Sequence, residues 1–506
     1  MENKLSMEEF SKFLKAKGFI YQSSEIYGGL SGLYDYGHNG TALKNNWCKE
    51  WRKFFLKLGS NFVEIDASII MHEHVFKASG HLENFFDPIV VIEGEDQTYR
   101  ADHLIEDKLN EKAEELTNEE MLKKIVENKL LGDIDYSKVK VENLNMMFPV
   151  DMGPKRATKA YLRPETAQSP YVNFKIQFEL QRKKLPLGLG MIGRVYRNEI
   201  SPRNLTLRTR ELEQAELQIF FNPSKIDEHE GYEAVKNSKL KVLLKDKRDQ
   251  EPEYLSLEEL RSYGLPRFYL YHMLKVQQFH LEIMKLDEKN FRFLELNDKE
   301  KAFYNKYHFD IEVKMNNPAS WVEVGGVHYR TDHDLKGHEE ISRIKMEVLD
   351  DMTGERFIPH VLELSLGLGR QLYTLLDQKL SSEEERGNAV YGFPKKLAPN
   401  FVAVFPLMKR DSLPEYAKKI VEELEEEDLK VFYDEAGSVG KRYARQDEIG
   451  TPYCITVDYE TLEEGENKNT VTIRDRDTTK QKRVQTEKLV SLLKDLQKEK
   501  VSFDDL

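Results

Sequence analysis

The segment 193–220 constrains this chain more than any other. Residues 193–199 alternate in character, 200–206 carry Ser201, Pro202 and Asn204 as a turn, and 207–220 alternate again. Alternation at a period of two on both sides of a turn predicts an antiparallel β-hairpin with a long tip. Side chains two apart share a face. Arg197 and Glu199 therefore project together, and Arg208, Arg210, Gln214 and Glu216 share a face of the second strand. Such a density of charge on one face of a sheet is expensive unless it meets a ligand or solvent.

Two readings of that face are open. A guanidinium can grip a phosphate through two parallel hydrogen bonds, and a carboxylate two residues away can accept from an exocyclic amine. An exposed hairpin laced with cross-strand ion pairs would have the same pattern. A second segment, VLELSLGLGR (361–370), puts Glu363 and Ser365 on one face of a strand, with Gly367 and Gly369 permitting a tight turn into a helix. Arg370 then falls in the first helical turn, an end that prefers anions. The position becomes favourable where backbone amides and Arg370 together hold a phosphate; the alternative is a plain strand-to-helix corner. GLGRQL lacks the third glycine and the upstream context of a dinucleotide fingerprint. In YLRPETAQ (161–168), Glu165 follows Pro164 at a strand-to-helix entry, where a carboxylate can equally be a cap.

The chain has 506 residues, 33% of them charged and 40% hydrophobic, which predicts a soluble globular protein of two to four domains. The longest strongly apolar stretch, 401–408, is far short of the ~18 residues that span a membrane. The start MENKLSMEEF lacks the apolar core of a secretory leader. Cys48 and Cys454 form no CxxC pair, which argues against a cysteine zinc site or a disulfide framework. A cytoplasmic setting without a membrane partner is expected. The net charge of −13 opposes nucleic-acid binding over the whole surface but leaves room for a local basic face.

Residues 5–18 read as an amphipathic helix opened by a capping box at Ser6 and Glu9. Residues 41–58 read as another, with Leu43, Trp47, Trp51, Phe54 and Phe55 on one side. The stretch 104–143 is rich in Glu and Lys and suggests a solvated helical insertion outside any core. The stretch 223–299 is charged and helical in pattern, with 251–259 as a linker, and 386–399 reads as an inter-domain linker. Beyond it strands and helices alternate, predicting a small α/β domain.

Together these segments resemble class II aminoacyl-tRNA synthetases, and within them the homodimeric glycyl-tRNA synthetases. The resemblance rests on EIYGGLSGLYDYG (25–37), YRADH (99–103), LRPETAQ (162–168), RNEISPRN to RTRELEQAE (197–216), WVEVGG (321–326), LELSLGLGR (362–370) and GKRYARQDEIGTPYCITVDYETL (440–462). It implies an α+β catalytic domain over 1–395, an antiparallel sheet flanked by helices, with insertions at 104–145 and 223–299. It also implies a separate α/β anticodon-binding domain over 396–506. The implied activity is ATP-dependent attachment of glycine to tRNA(Gly) through glycyl-adenylate, by a homodimer using magnesium.

By the same resemblance Arg197 holds the ATP α-phosphate, Glu199 reads the adenine amino group, and Arg208 and Arg370 lie near the terminal phosphates. Asn198, Leu207, Glu323, Val324 and Gly367 complete the ATP positions, with Glu323 toward magnesium. Glu165, Glu216, Glu363 and Ser365 correspond to the glycine pocket, joined by Arg100, Leu212 and Gln214. Lys441, Arg442, Arg445, Arg474 and Arg476, with Tyr433, Tyr443 and Tyr453, are the candidates for reading unpaired bases. Three positions depart from the family pattern: His38 and Leu364 stand where proline is usual, and Ser169 where glycine is. A synthetase-like nucleic-acid-binding subunit, the main rival, would lose the ATP arginines that this chain keeps.

Overall fold

The computed structural model describes residues 5–95, 98–111, 113, 116–154, 158–302, 304–350, 353–383 and 386–506. The first four residues of the start read above, and 112, 114 and 115 of the charged stretch, lie outside the described residues. Nine strands form the central sheet: β1 (Phe62–Glu64), β2 (Leu187–Tyr196), β3 (Glu211–Phe221), β4 (Lys239–Leu243), β5 (Glu253–Ser256), β6 (Phe291–Glu295), β7 (Tyr307–Lys314), β8 (Trp321–Thr331) and β9 (His360–Gly367). Their order is β5-β4-β6-β7-β8-β9-β3-β2-β1, antiparallel except for the β4/β6 and β1/β2 pairs. The predicted hairpin is present, with Leu187 opposite Phe220 and Tyr196 opposite Glu211, but its strands stop at Tyr196 and resume at Glu211, so Arg197, Glu199, Arg208 and Arg210 lie in the tip and not on a strand face.

Binary patterning decides which face each residue takes. Ala215, Leu217 and Ile219 of β3, Leu362, Leu364 and Leu366 of β9, and Phe309, Ile311 and Val313 of β7 enter one large core. Helices α1 (Met7–Ala16), α2 (His38–Phe55), α3 (Gln168–Leu180), α4 (Arg267–Gln278), α5 (His333–Ser342) and α6 (Leu368–Gln378) flank the sheet. Helix α2 contributes Leu43, Trp47, Trp51 and Phe55 to that core, each worth about 1.5–3 kcal/mol on full burial. It begins at His38, earlier than the spacing predicts, because Gly37 and Gly40 lie against the backbone of Gly18 and Phe19. A Cβ would fall 2.4 Å from Gly18 O and 2.0 Å from Phe19 O. Helix α1 carries the predicted capping box between Ser6 and Glu9.

Four expectations need correction. The stretch 223–299 is no helical insertion: it supplies β4, β5 and β6 to the central sheet and α4 to the main core. Its charged residues alternate with apolar ones at strand spacing, which mean composition conceals. The expected linker 251–259 is β5 followed by the helix Leu257–Arg261. The stretch around 104–145 does include two helices, Ala101–Leu109 and Asn118–Glu127. They pack on a separate antiparallel sheet of Phe86–Ile92, Thr98–Arg100 and Val139–Asn145. Val90, Ala101, Ile105, Met121, Ile125 and Val139 give this unit its own small core. The linker 386–399 is packed down, with Tyr391, Phe393 and Leu397 buried in the main core.

At the C-terminus, β10 (Val402–Pro406), β11 (Val431–Tyr433), β12 (Tyr453–Val457), β13 (Thr470–Asp475) and β14 (Gln481–Gln485) form a second sheet, ordered β11-β10-β12-β13-β14. It is parallel over β11-β10-β12 and antiparallel beyond. Helices α7 (Leu413–Glu425), α8 (Val439–Asp447) and α9 (Thr486–Gln497) accompany it. Among the described residues no helix is long and apolar enough to cross a membrane.

Candidate active site

The polar face of the central sheet opens into a cleft of about 930 Å³ lined by Arg197, Glu199, Leu207, Arg208, Leu212, Glu323, Gly367 and Arg370, together with Tyr34, Arg194 and Arg203. The hairpin thus brings its arginines to the same cavity as the β9–α6 turn. Arg197 follows the end of β2; its Nε donates to the Pro164 carbonyl at 3.0 Å and its guanidinium stands 5.6 Å from the Phe85 ring centre. Arg370, in the first turn of α6, donates from Nε to Leu207 O at 3.0 Å and from Nη1 to Glu323 O at 2.9 Å. Its Nη1 is also 3.1 Å from the Glu323 carboxylate. Burial pushes the Glu323 carboxyl up, but Arg370 and Arg197 outweigh this and leave it lowered. Arg208 Nε lies 2.9 Å from Glu199 Oε1, an oxygen that is buried and takes no well-aligned hydrogen bond.

Beside the cleft, the sheet register gathers the remaining candidates. Gln214, Glu216 and Gln218 of β3 stand opposite Gly367, Ser365 and Glu363 of β9. On the other side of β9, Ser365 and Glu363 stand opposite Gly326 and His328 of β8. Leu212 lines the cleft and Glu216 lies four residues further along the same face, so one strand connects the two regions. Glu165 arrives from the LRPET turn, where Gln168 Nε2 donates to it at 2.8 Å. Gln214 accepts from the Thr166 amide at 3.1 Å and fixes that turn to β3.

The three acids are in different states. Glu216 accepts from Ser365 Oγ and Thr166 Oγ1, each at 2.6 Å, and has no basic partner among the described residues. Burial, then the charges of Glu363 and Glu165, pushes it up to about 7. Burial also pushes Glu363 up, but Arg330, 3.1 Å away, and His328, in direct hydrogen-bond contact, hold it at about 2. Glu165 is held well below the usual carboxylate range against burial by Arg330, at 3.6 Å, and by His81, at 3.7 Å. Arg330 is the hub. Only 3% exposed, it also pairs with Asp334 through two bonds of 2.9 and 3.0 Å.

A pH-dependent stability follows for Glu216. Its pKa is raised on folding, so the chain loses stability as pH climbs from the unfolded value near 4.5 to about 7. Glu216→Gln should therefore melt higher than the parent at pH 8 and at the same temperature near pH 4. Thermal unfolding of both at the two pH values is the measurement, and equal melting at pH 8 would contradict the assigned environment.

Sequence reasoning missed Arg330, His328, Asp334 and Gln218. Arg330 and His328 share one face of β8 by their spacing, the one signal available. Other expectations shift. Arg100 is clasped by Asp87, at 2.5 Å, and by Asp102, and lines no part of the cleft. Val324 is buried in the main core and reaches the site region only through its carbonyl, which accepts from Gln371. Asn198 is tied by its amide to Met146 O at 2.8 Å. Arg210 holds backbone, donating to Glu199 O and Ser31 O.

In the C-terminal domain Arg442 satisfies the carbonyls of Pro406, Glu435, Ala436 and Gly437. Arg474 forks onto Asp447 at 2.8 and 2.9 Å, and Arg476 binds Gly450 O and Phe393 O. These three guanidiniums and Tyr453 are buried. They hold the domain together and are not available to unpaired bases, whereas Lys441 is exposed.

The three departures are absorbed locally. His38 opens α2 with its ring over Gly18, Leu364 turns into the main core, and Ser169 is buried with Oγ accepting from Arg163 at 3.4 Å.

Comparison with known proteins accords with this geometry. Residues 150–379 match the tRNA synthetase class II core domain (G, H, P, S and T), and residues 401–496 match the anticodon binding domain. The chain is 36% identical over 582 aligned residues to glycine–tRNA ligase of Pyrococcus abyssi, covering 97% of this chain and 99% of that protein. It is 37% identical over 503 residues to glycine–tRNA ligase of Treponema denticola, with 97% of each covered. To that of Clostridium acetobutylicum it is 36% identical over 510 residues, with 98% and 99% covered. An arginine-lined cleft beside a buried acid cluster, in a sheet matched to the class II core and aligned nearly end to end with such relatives, leads to one conclusion: the chain belongs to the glycine–tRNA ligase family.

Proposed function

We infer that this protein attaches glycine to tRNA(Gly) in two steps, with ATP as co-substrate. The observation that carries this reading is the meeting of Glu165, Glu216 and Glu363 beside the cleft shared by Arg197 and Arg370. Glycine presents only an ammonium and a carboxylate. A buried acid cluster suits the ammonium, and Glu216 is the acid without a basic partner among the described residues. Its ionisation is favoured by an incoming cation, so glycine affinity rises as pH climbs through about 7.

Arg197 has no acidic partner within ion-pair distance among the described residues, and its charge faces the cleft. We assign it to the ATP α-phosphate, where it would stabilise charge that grows as the glycine carboxylate attacks in line and pyrophosphate departs. Arg370 and Arg208 would meet the outgoing phosphates. Glu199 Oε1 is suited to accept from the adenine amino group. The 3′-terminal adenosine of tRNA, through its 3′-hydroxyl, then takes the glycyl group. Positioning and fixed charge supply most of the acceleration.

Among the described residues no cluster of three acidic, His or Cys side chains could cage a metal. Magnesium is commonly bound by one or two carboxylates plus substrate phosphates, and Glu323 at the cleft wall fits that mode. When bound there, magnesium would neutralise phosphate charge.

We assign 1–395 to catalysis and 396–506 to anticodon binding. A homodimer is supported by exposed apolar residues on neighbouring helices, Ile176 and Leu180 on α3 and Ile341 on α5, with Ile344 just beyond the end of α5. A cytoplasmic setting accords with two free, buried cysteines.

The test is exchange of pyrophosphate into ATP by the purified chain with each of the twenty amino acids. Glycine is the expected substrate; exchange supported only by another amino acid would overturn the assignment.

A further inference from the structure

Two cross-strand rows on the polar face of the central sheet lead beyond the reaction itself. One row contains Glu216, Ser365 and Gly326, and the next contains Gln218, Glu363 and His328. His328 leans from its own row into the first. A Cβ at Gly326 would lie 2.2 Å from His328 Nε2, so the imidazole fills the space that any other residue at 326 would take, beside Ser365. The same ring contacts Glu363 Oε1 through Nδ1. His308 stands edge-on to it with ring centres 4.2 Å apart, and is itself held by Asp310 at 3.0 Å. The second oxygen of Glu363 receives Gln218 at 2.7 Å and Arg330 at 3.1 Å. The ring is thus anchored by a carboxylate, a second imidazole and a glycine surface.

We propose that His328 is a specificity-determining positioning residue, walling the amino-acid pocket beside Gly326 and Ser365 and fixing Glu363 toward the substrate ammonium. The proposal rests on glycine being the substrate. With the ammonium among Glu165, Glu216 and Glu363, the substrate α-carbon lies next to that cluster, and the space beyond it decides whether a Cβ can enter. Rejecting a larger substrate depends on a wall that cannot yield, and a ring held on several sides in a close-packed site yields little. The titratable groups around the ring are Glu363 from β9, Arg330 from β8, Asp310 and the imidazole of His308 from β7, and beyond them Glu216 and Glu165. Burial lowers the proton affinity of His328, but Glu363 more than offsets it and raises it overall.

The experiment is pyrophosphate exchange by the full-length chain with glycine and with L-alanine, for the parent and for His328→Ala, His328→Phe and His328→Asn. In His328→Ala the glycine KM should rise about tenfold or more on loss of a hydrogen bond to a charged group. The preference for glycine over alanine should fall about tenfold or more, the scale of one methylene in a pocket. The KM for ATP should stay within about twofold. His328→Phe keeps a ring without a donor and should raise the glycine KM while retaining discrimination. His328→Asn keeps a donor without the ring and should lose discrimination.

Unchanged discrimination in both His328→Ala and His328→Asn would overturn the proposal, as would equal rises in KM for glycine and ATP. If His328→Ala does not fold, the Phe and Asn variants decide by whether discrimination follows ring volume. A parent without glycine-dependent exchange would overturn the functional assignment itself. A parent that exchanges, with variants that discriminate as it does, would overturn only the role of His328.

Discussion

Arg370→Ala is expected to lower glycine-dependent pyrophosphate exchange by about 10²–10³-fold, the scale for removing one preorganised charge-stabilising group, while the chain stays folded. Its side chain is about one-third exposed and lies at the cleft wall, so no cavity opens in the core. Two carbonyls, of Leu207 and Glu323, lose a donor, and both residues line the cleft. Arg370→Lys keeps the charge but loses the fork that spans those carbonyls, and should recover only part of the rate. Exchange kinetics beside circular dichroism separate the outcomes. Near-parental turnover in the alanine variant would remove the role given to this residue.

Arg330→Ala should be the most damaging single change to stability. The guanidinium is buried among Asp334, Glu363 and Glu165. Breaking a buried ion pair by removing one partner costs about 3–5 kcal/mol because the remaining charges are left uncompensated. The loss has a pH signature. With Arg330 present, Glu363 is held at about 2, so its stabilising contribution is complete above the unfolded value near 4.5 and is lost only as pH falls toward 2. Without Arg330, burial and mutual repulsion raise Glu363 and Glu165 above their unfolded values. The variant then loses stability as pH rises, and its deficit against the parent should be wider at pH 8 than at pH 5. Denaturant unfolding at both pH values measures it, and a deficit independent of pH would argue against Arg330 as the neutralising hub.

The hairpin, the β9–α6 corner and the LRPET turn were legible in the sequence because each combines strand alternation with a local break at Pro or Gly. Arg197, Glu199, Arg370 and Glu216 stand out as candidates on that basis, and the family resemblance supplies the roles proposed for them. What stayed hidden was pairing at long range. Arg330 and Glu363 lie 33 positions apart and meet only through the β8/β9 register, which no local pattern encodes. The basic residues of the C-terminal domain misled for the converse reason. A sequence displays charge but not the backbone carbonyls that a buried guanidinium satisfies, as Arg442 and Arg476 do. Strands β4 to β6 were concealed because their connecting segments are so charged that the average hides the alternation.

The two charged stretches differ in how far they can be cut away. Phe86 and Asn145 are cross-strand partners, so the entrance and exit of the unit they bound lie about 4.5–5.5 Å apart. A short artificial turn can bridge that gap, and the interior core of the unit leaves with it. This portion hangs on one narrow neck, and its tie to the cleft is His103, 3.5 Å from Arg208. Excising 239–295 would instead strip three strands from the central sheet and leave β7 as a raw edge. A trimmed version of the enzyme should therefore be sought by removing the first stretch and never the second.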